Sequence, residues 1–293
     1  MRRIVTTAVA GLAAIAASLT MAGVASASPG ITQISPEHSG YSATGAQFKD
    51  VSASVYLRNP EQYAGVVAGF GHSVQLWSAN KVIVLGVSDT TAAGSKASGF
   101  SPAVAVFNRS DHSLTASSTD GTISATWHPA GGPPQPATAG GSFPVGTTVT
   151  ERAHYNLTTG DVNFTATDTA GDQFTATYAA GLGQSFNQAR IGTEFGSTPW
   201  TAPATFTPPA NWAKIGVFNN ARLVTYSGHA GTLTSWWVTH VLEANTVAQS
   251  ATGDWVSVPS NFGNGGASFA TFFVPASGQQ ATHSGSLAVH AAN

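Results

Sequence analysis

Apolar and polar residues alternate along most of this chain with a period of two. The segment Val51–Leu57 places an aliphatic side chain at every second position and mostly hydroxyl-bearing side chains between them. This pattern is typical of a β-strand that is buried on one face. Further strands are predicted at residues 65–70, 73–77, 81–87, 103–107, 122–127, 147–155, 162–168, 173–178, 189–195, 212–218, 221–226, 235–241 and 268–274.

Turn residues separate these segments at short intervals. The clearest hairpin joins Thr148–Tyr155 to Asp161–Asp168 through Asn156–Gly160, and a second turn leads into Gln173–Tyr178. The 32 glycines and 15 prolines argue against long helices. About a dozen short strands without helical periodicity between them predict an all-β fold, either a sandwich or a closed barrel.

The amino terminus has the three parts of a secretory signal peptide. Arg2 and Arg3 precede an apolar run over Ile4–Val24, and the small residues Ala25-Ser26-Ala27 form a cleavage site. Because no basic stop-transfer cluster follows, we expect removal of residues 1–27, no membrane anchor and an extracellular protein. The predicted organisation is an N-terminal extension at 28–39, one β-sandwich domain at 40–275 and a C-terminal tail at 276–293. The Pro/Gly-rich stretch at 131–141 is interpreted as a surface loop.

Charged residues make up only 8% of the chain, against roughly 25% in an ordinary soluble domain. Without the signal peptide, nine Lys and Arg remain against thirteen Asp and Glu, which disfavours nucleic-acid binding. The absence of cysteine excludes disulfides and a thiol nucleophile. Since few ion pairs are available to be lost when carboxylates are protonated, we expect the fold to tolerate acid.

Several segments, taken in order, carry a family resemblance. They are Ser39–Gly45 with Val51–Leu57, Gly65–Gly71, Phe143–Val149 with Asn156–Gly160, Ala189–Phe195, Phe218–Ala221 and Gly265–Phe269. They resemble successive core strands of the eqolisin family of glutamic peptidases, which are secreted, acid-active enzymes. The resemblance covers roughly residues 40 to 275, with several dozen extra residues around 88–120. It implies a concanavalin-like or jelly-roll-like antiparallel β-sandwich that acts as a monomer without a cofactor.

The resemblance also implies a catalytic pair. Glu194 matches the family's catalytic glutamate, which would act as general base toward a water molecule. The family's glutamine, which stabilises the oxyanion, would be Gln75, although alignment on Leu85-Gly86 would place Val84 there instead. The tryptophans of the family's substrate cleft are partly matched, by Trp77 and Trp127.

Other polar residues suggest competing sites. Glu151 and Glu194 could face one cleft as the two carboxyl groups of a glycosidase, but the Glu-x-Asp-x-x-Glu run of concanavalin-fold glucanases is absent. Nine histidines are scattered without metal-ligand spacing, so no metal is expected. His72 lies close to Gln75 in sequence and could hydrogen-bond a group in the cleft. No G-x-S-x-G motif supports a serine hydrolase.

Aromatic residues suggest a function from another class. Exposed tryptophans on a concave sheet can stack on sugar rings, which would make the protein a lectin-like module that binds polysaccharide or cell-wall glycan. The chain has seven, at Trp77, Trp127, Trp200, Trp212, Trp236, Trp237 and Trp255. The expected partner is therefore an extracellular protein substrate or a polysaccharide.

Overall fold

The computed structural model describes residues 32–35, 38–58, 70–89, 99–137, 140–195, 213–243, 248–250, 253–260 and 262–275. The predicted signal peptide and C-terminal tail lie outside these ranges. Among these residues strands predominate, and short 3₁₀ helices lie at Leu233–Ser235 and Asn264–Gly266. None of the helices in the described ranges has the length and hydrophobicity needed to span a membrane.

The strands in the described ranges form two sheets. The strands of the eight-stranded sheet, in spatial order, are β1 (Thr32–Ser35), β16 (Trp237–Glu243), β2 (His38–Thr44), β13 (Gln188–Phe195), β4 (Phe70–Trp77), β5 (Lys81–Asp89), β6 (Phe100–Asn108) and β7 (Leu114–Ser117). All neighbours pair antiparallel except β1 and β16, which run parallel. The fold is thus the predicted antiparallel sandwich with one parallel pair at an edge.

The second sheet has eleven strands. Ten of them follow the order β17 (Ala248–Ser250), β18 (Gly253–Pro259), β19 (Phe269–Pro275), β14 (Ala213–Thr225), β3 (Phe48–Tyr56), β10 (Thr148–Tyr155), β11 (Asp161–Asp168), β12 (Gln173–Ala179), β8 (Ala125–His128) and β9 (Gln135–Pro136). The short β15 (Ala230–Gly231) pairs with β14. The predicted hairpin and three-strand meander are present as β10, β11 and β12.

The main core lies between the two sheets. In the eight-stranded sheet, Tyr41, Ile191, Val74, Leu85 and Val104 stand side by side on adjacent strands and are fully buried. Because successive side chains of a strand point to opposite faces, the neighbouring row belongs to the outer face of this sheet. The eleven-stranded sheet contributes a matching inner surface, with Val51, Leu223, Ala153, Phe164 and Ala176 in one row.

The structure differs from the strand prediction in several places. Of the strand predicted at 65–70, all but Phe70 lies outside the described residues, and the observed strands β1, β9, β15, β17 and β18 were not predicted. The separate strands predicted at 212–218 and 221–226 form one long strand, β14, which contains a register shift between Asn219 and Arg222. Strand β16 begins at Trp237, because residues 233–235 adopt a 3₁₀ turn. Strands β2 and β7 lacked a periodic signal, since small and hydroxyl-bearing residues occupy much of both.

Candidate active site

A polar cluster occupies the outer face of the eight-stranded sheet, where β2, β13 and β4 lie side by side. Arg190 pairs directly with Gln75, and Glu194 pairs directly with His38. Directly paired residues of adjacent strands point to the same face of a sheet. The register therefore brings the two predicted catalytic residues, which are 119 positions apart in sequence, to one face.

Glu194 is the centre of this cluster. Its Oε1 accepts hydrogen bonds from Gln75 Nε2 at 2.6 Å and from Ser73 Oγ at 2.9 Å, and it contacts His38 Nδ1. A carboxylate oxygen can only accept, so Nδ1 donates when Glu194 is ionised. Oε2 is buried and has no hydrogen-bond partner among the described residues. The carboxyl group is thus held through one oxygen, and the other remains available for chemistry.

The amide of Gln75 has a fixed orientation. Trp77 Nε1 donates to Gln75 Oε1 at 2.7 Å, and Gln75 Nε2 donates to Ser73 Oγ at 3.1 Å as well as to Glu194. Since an indole N–H can only donate, the amide oxygen must face Trp77 and the amide nitrogen must face Glu194. Val84, the alternative candidate for the family's glutamine position, pairs with Gln75 on the neighbouring strand. Its aliphatic side chain has no hydrogen-bond donor or acceptor, so it cannot make these contacts.

A buried guanidinium lies behind Trp77. The Arg190 guanidinium is 4.0 Å from the centre of the Trp77 ring, and that of Arg109 is 5.4 Å from it. Burial lowers the pKa of Arg190 to about 10, while the charge of Glu194 opposes this effect and that of Arg109 adds to it. Arg190 therefore remains a cation at acid and neutral pH and attracts the Glu194 carboxylate.

Glycine is required beside the cluster. A Cβ atom at Gly192 would lie 2.8 Å from His38 Cε1, 2.9 Å from its Nε2 and 2.3 Å from the Ser39 carbonyl oxygen. The imidazole thus occupies space that any other residue at this position would fill. Gly192 lies two residues before Glu194 on β13, so the same strand supplies the carboxylate and the space for its neighbour.

An apolar patch continues the outer face on the side of Gln75. Its members are buried and contact one another as a second, smaller hydrophobic cluster made of Trp77, Val82, Val84, Ala103, Ala105 and Phe107. Strands β5 and β6 carry most of it. They consequently read as a run of apolar residues rather than as an alternating pattern, because both faces of these strands are buried.

The structure brings together only part of the predicted site. Trp77 contacts Gln75, as described above. Glu151, His72 and Trp127 instead point into the core between the sheets, and their side chains are at most 6% exposed. His72 stacks on Phe100, and Trp127 packs edge-on against Phe143. The prediction that these three residues line a substrate cleft with Glu194 is therefore wrong. They lie in the core between the two sheets, whereas Glu194 lies on the outer face of the eight-stranded sheet.

Glu151 is an unusual core residue. It is fully buried, and neither of its carboxyl oxygens makes a hydrogen bond of regular geometry. Burial raises its pKa well above the ordinary value of 4.5, the nearby Val87 backbone N–H opposes this, and the charge of Glu194 adds to it. A glycosidase needs both carboxyl groups at one substrate. Glu151 and Glu194 therefore do not form the predicted alternative pair.

The rival binding function has no supporting surface in the described residues. Trp77 and Trp127 are buried, and Trp236 is only partly exposed and packs edge-on against Phe48. The side chains of the remaining four tryptophans lie outside the described part. No group of three or more His, Asp or Glu side chains that could hold a metal ion occurs in the described ranges.

Three members of the cluster were not predicted from the sequence: His38, Ser73 and Arg190. His38 and Ser73 have no motif around them, and Arg190 looks like an outward strand residue. What places these residues beside Gln75 and Glu194 is the register of β13 against its two neighbouring strands. That register cannot be read from local sequence, since it depends on strand pairs that are far apart in the chain.

Comparisons with known proteins give one kind of similarity. No protein-family profile matches the chain, and no curated protein matches it. Among solved structures, the chain is similar to scytalido-glutamic peptidase with a transition-state analogue inhibitor, with a TM-score of 0.49 and 11% sequence identity. It is also similar to scytalido-glutamic peptidase with a peptide-based transition-state analogue, with a TM-score of 0.47 and 10% sequence identity. It is also similar to SCP-B, a member of the eqolisin family, in complex with the tripeptide Ala-Ile-His, with a TM-score of 0.46 and 13% identity. Each similarity covers 82% of this chain and 98% of the other.

Proposed function

We propose that this protein is a secreted acid endopeptidase in which Glu194 is the general base and Gln75 stabilises the oxyanion. The observation that supports this most directly is the 2.6 Å hydrogen bond between Gln75 Nε2 and Glu194 Oε1 on one face of the sheet. A neutral amide donor keeps its hydrogens at any pH, and a carboxylate remains a base where free histidine is protonated. The pair is thus suited to acid conditions.

The chemistry follows from the two ends of the carboxyl group. Glu194 Oε2 takes a proton from a water molecule, whose oxygen attacks the peptide carbonyl carbon. One hydrogen of Gln75 Nε2 turns from Ser73 toward the carbonyl oxygen, which becomes negative in the tetrahedral intermediate. The Glu194 carboxylic acid then gives its proton to the amide nitrogen, and the carbon–nitrogen bond breaks. Both side chains are almost fully buried, with 4% of Glu194 and 2% of Gln75 exposed.

Hydrolysis of denatured casein by the mature protein, from Ser28 onward, tests this proposal. We expect cleavage near pH 4 that persists in pepstatin and is lost in Glu194→Gln by a factor of 10³ or more, on the order expected when a general base is removed. Cleavage retained in Glu194→Gln would end the assignment. Gln75→Ala should lower kcat by about 10²–10³, as for other oxyanion donors.

Glu151→Gln is the matched control. It removes a glutamate carboxyl that β10 of the eleven-stranded sheet directs into the core, at a position where the carboxyl is neutral in acid because burial raises its pKa. We expect casein cleavage at pH 4 to stay close to that of the wild type. Loss of cleavage in both glutamate variants would point to a general effect on the fold, which circular dichroism of each variant would reveal.

A further inference from the structure

We propose that Trp77 is a positioning residue, which anchors the oxygen of the Gln75 amide while the amide nitrogen passes a hydrogen bond to the oxyanion of the substrate. This inference rests on the proposed function and deepens it. The sequence predicts Trp77 in the substrate cleft, whereas in the structure it is 1% exposed and its N–H is directed at Gln75. Its role is therefore one of support for the amide rather than of contact with the substrate.

The proposed reaction changes both hydrogen bonds that the Gln75 nitrogen donates. Nε2 donates to Ser73 Oγ at 3.1 Å and to Glu194 Oε1 at 2.6 Å. One hydrogen leaves Ser73 for the oxyanion, and Glu194 loses its negative charge when it takes the proton of the water molecule. A hydrogen bond to a charged acceptor is roughly twice as strong as one to a neutral acceptor. The hold of Glu194 on Nε2 is consequently weakest at the stage at which Gln75 has to point at the substrate.

The hydrogen bond from Trp77 stays the same throughout. Trp77 Nε1 donates to Gln75 Oε1 at 2.7 Å, and neither group takes part in a proton transfer. An amide turned by half a rotation would place its NH₂ group against the indole N–H, and two donors cannot pair. A hydrogen bond to the amide oxygen also polarises the amide and strengthens its N–H donors. Trp77 thus keeps Nε2 ready as a preorganised donor for the oxyanion.

The indole ring is itself held in place. The guanidinium of Arg190 is 4.0 Å from the centre of the ring and that of Arg109 is 5.4 Å from it, and a cation at this distance is attracted by an indole. Arg109 is fixed in turn, because its Nη1 donates to the Ser78 carbonyl oxygen at 2.7 Å. Trp77 also packs into the second hydrophobic cluster, beside Val82. These contacts keep the N–H at one position relative to Gln75.

Replacement of Trp77 by phenylalanine tests this role in catalysis. Phenylalanine keeps an aromatic ring for Arg190 but has no N–H. We expect kcat with denatured casein to fall by about tenfold, the factor that follows from the loss of one neutral hydrogen bond. KM should stay within about twofold of the wild type, since the bond supports the transition state. A wild-type kcat, or a change confined to KM, would overturn the proposal.

Trp127→Phe is the matched control. It makes the same change in the core between the sheets, where Trp127 packs edge-on against Phe143. We expect this variant to keep the kcat of the wild type. Urea denaturation of both variants measures how much stability each loses. An equal fall of kcat in the two variants would show a general effect of core packing and would count against a specific role of Trp77.

A second measurement does not depend on catalysis. Glu194→Gln removes the charged acceptor, so that Trp77 decides which way the Gln75 amide points. The side-chain ¹⁵N–¹H signals of Gln75, identified by their loss in Gln75→Ala, report this orientation through NOEs to the β-protons of Ser73. We expect these NOEs in Glu194→Gln as in the wild type, and a marked weakening when Trp77→Phe is added.

The outcomes separate the two proposals. Loss of the NOEs in Glu194→Gln alone, or unchanged NOEs in the variant with both substitutions, would refute the role of Trp77. Casein cleavage by Glu194→Gln would refute the proposed function and leave the orientation of the amide as measured.

Discussion

At the scale of single residues, the site is built on an unequal division of hydrogen bonds. Glu194 Oε1 receives the donors from Ser73, Gln75 and His38, while Oε2 has none among the described residues. An unpaired carboxylate oxygen in a buried place costs free energy of folding. Such an arrangement is typical of functional sites, where a group is kept ready to bind or react.

Glu151 shows the same cost without a functional use in the proposed mechanism. We expect Glu151→Met, which fills a similar volume, to raise the free energy of unfolding at pH 7 by about 1–3 kcal/mol, because a buried group without good partners is removed. Urea denaturation of both proteins at pH 4 and pH 7 measures this.

The gain should depend on pH in a defined direction. The pKa of Glu151 is higher in the folded protein than in the unfolded chain, so the folded state holds its proton more tightly. The resulting stability is complete below pH 4.5 and is lost as the pH rises toward the folded pKa. Glu151→Met should therefore stabilise more at pH 7 than at pH 4, and an equal effect at both would contradict this explanation.

At the scale of elements, β14 shows how one residue determines the course of a strand. Asn220 has a φ of 54°, in the left-handed region, and the pairing of β14 with β3 shifts register around it. Asparagine tolerates this conformation better than most residues, and glycine tolerates it without strain. The Asn-Asn pair at 219–220 reads as a turn between two strands in the sequence, but in the structure it is an irregularity within one strand.

Substitution of Asn220 tests this explanation. Asn220→Ala should lower the free energy of unfolding by about 1 kcal/mol, because alanine is strained at a positive φ. Asn220→Gly should come close to the wild type, since its conformational freedom removes the strain. Urea denaturation decides between the two, and equal losses in both would assign the effect to the 3.4 Å contact between the Asn220 side chain and Ser54 instead.

At the scale of the whole molecule, we expect the tolerance of acid to depend on a few buried groups as well as on the sparse surface charge. Burial lowers the pKa of His72 from 6.5 to about 3. Its contribution to stability is complete above pH 6.5 and is lost as the pH falls through that interval toward 3, because the unfolded chain takes up the proton first. Glu151 acts in the opposite direction, since its contribution grows as the pH falls to 4.5.

Between pH 6.5 and pH 4.5 the effects of His72 and Glu151 oppose each other, so the free energy of unfolding should change little there. Below pH 4.5 only the effect of His72 continues, and the free energy of unfolding should fall more steeply. Urea denaturation followed by circular dichroism at several pH values from 3 to 7 gives this profile. His72→Asn should flatten its acid end, because asparagine does not take up a proton. A profile of the variant parallel to that of the wild type would show that another group causes the loss.

The sequence by itself determined the class of the fold and indicated Glu194 as a candidate catalytic carboxyl group. Alternation predicted the strands of the central meander and of β3, since each buries one face and shows that face as every second residue. The resemblance of Ala189–Phe195 to a peptidase family indicated Glu194, whereas the position of the family's glutamine stayed open between Gln75 and Val84. The signal peptide and secretion remain predictions.

Only the tertiary structure decided which side chains meet. A strand's sequence shows its period but not its partners, so the register that joins β2, β13 and β4 and brings His38, Ser73 and Arg190 to Glu194 was not readable. The sequence also could not show which face of a sheet is the inner one where both faces are buried. His72 was for this reason expected beside Glu194, although it lies on the inner face of the same sheet. Glu151 lies on the one buried face of β10, and only the packing of the two sheets shows that this face is turned toward the core and not toward Glu194.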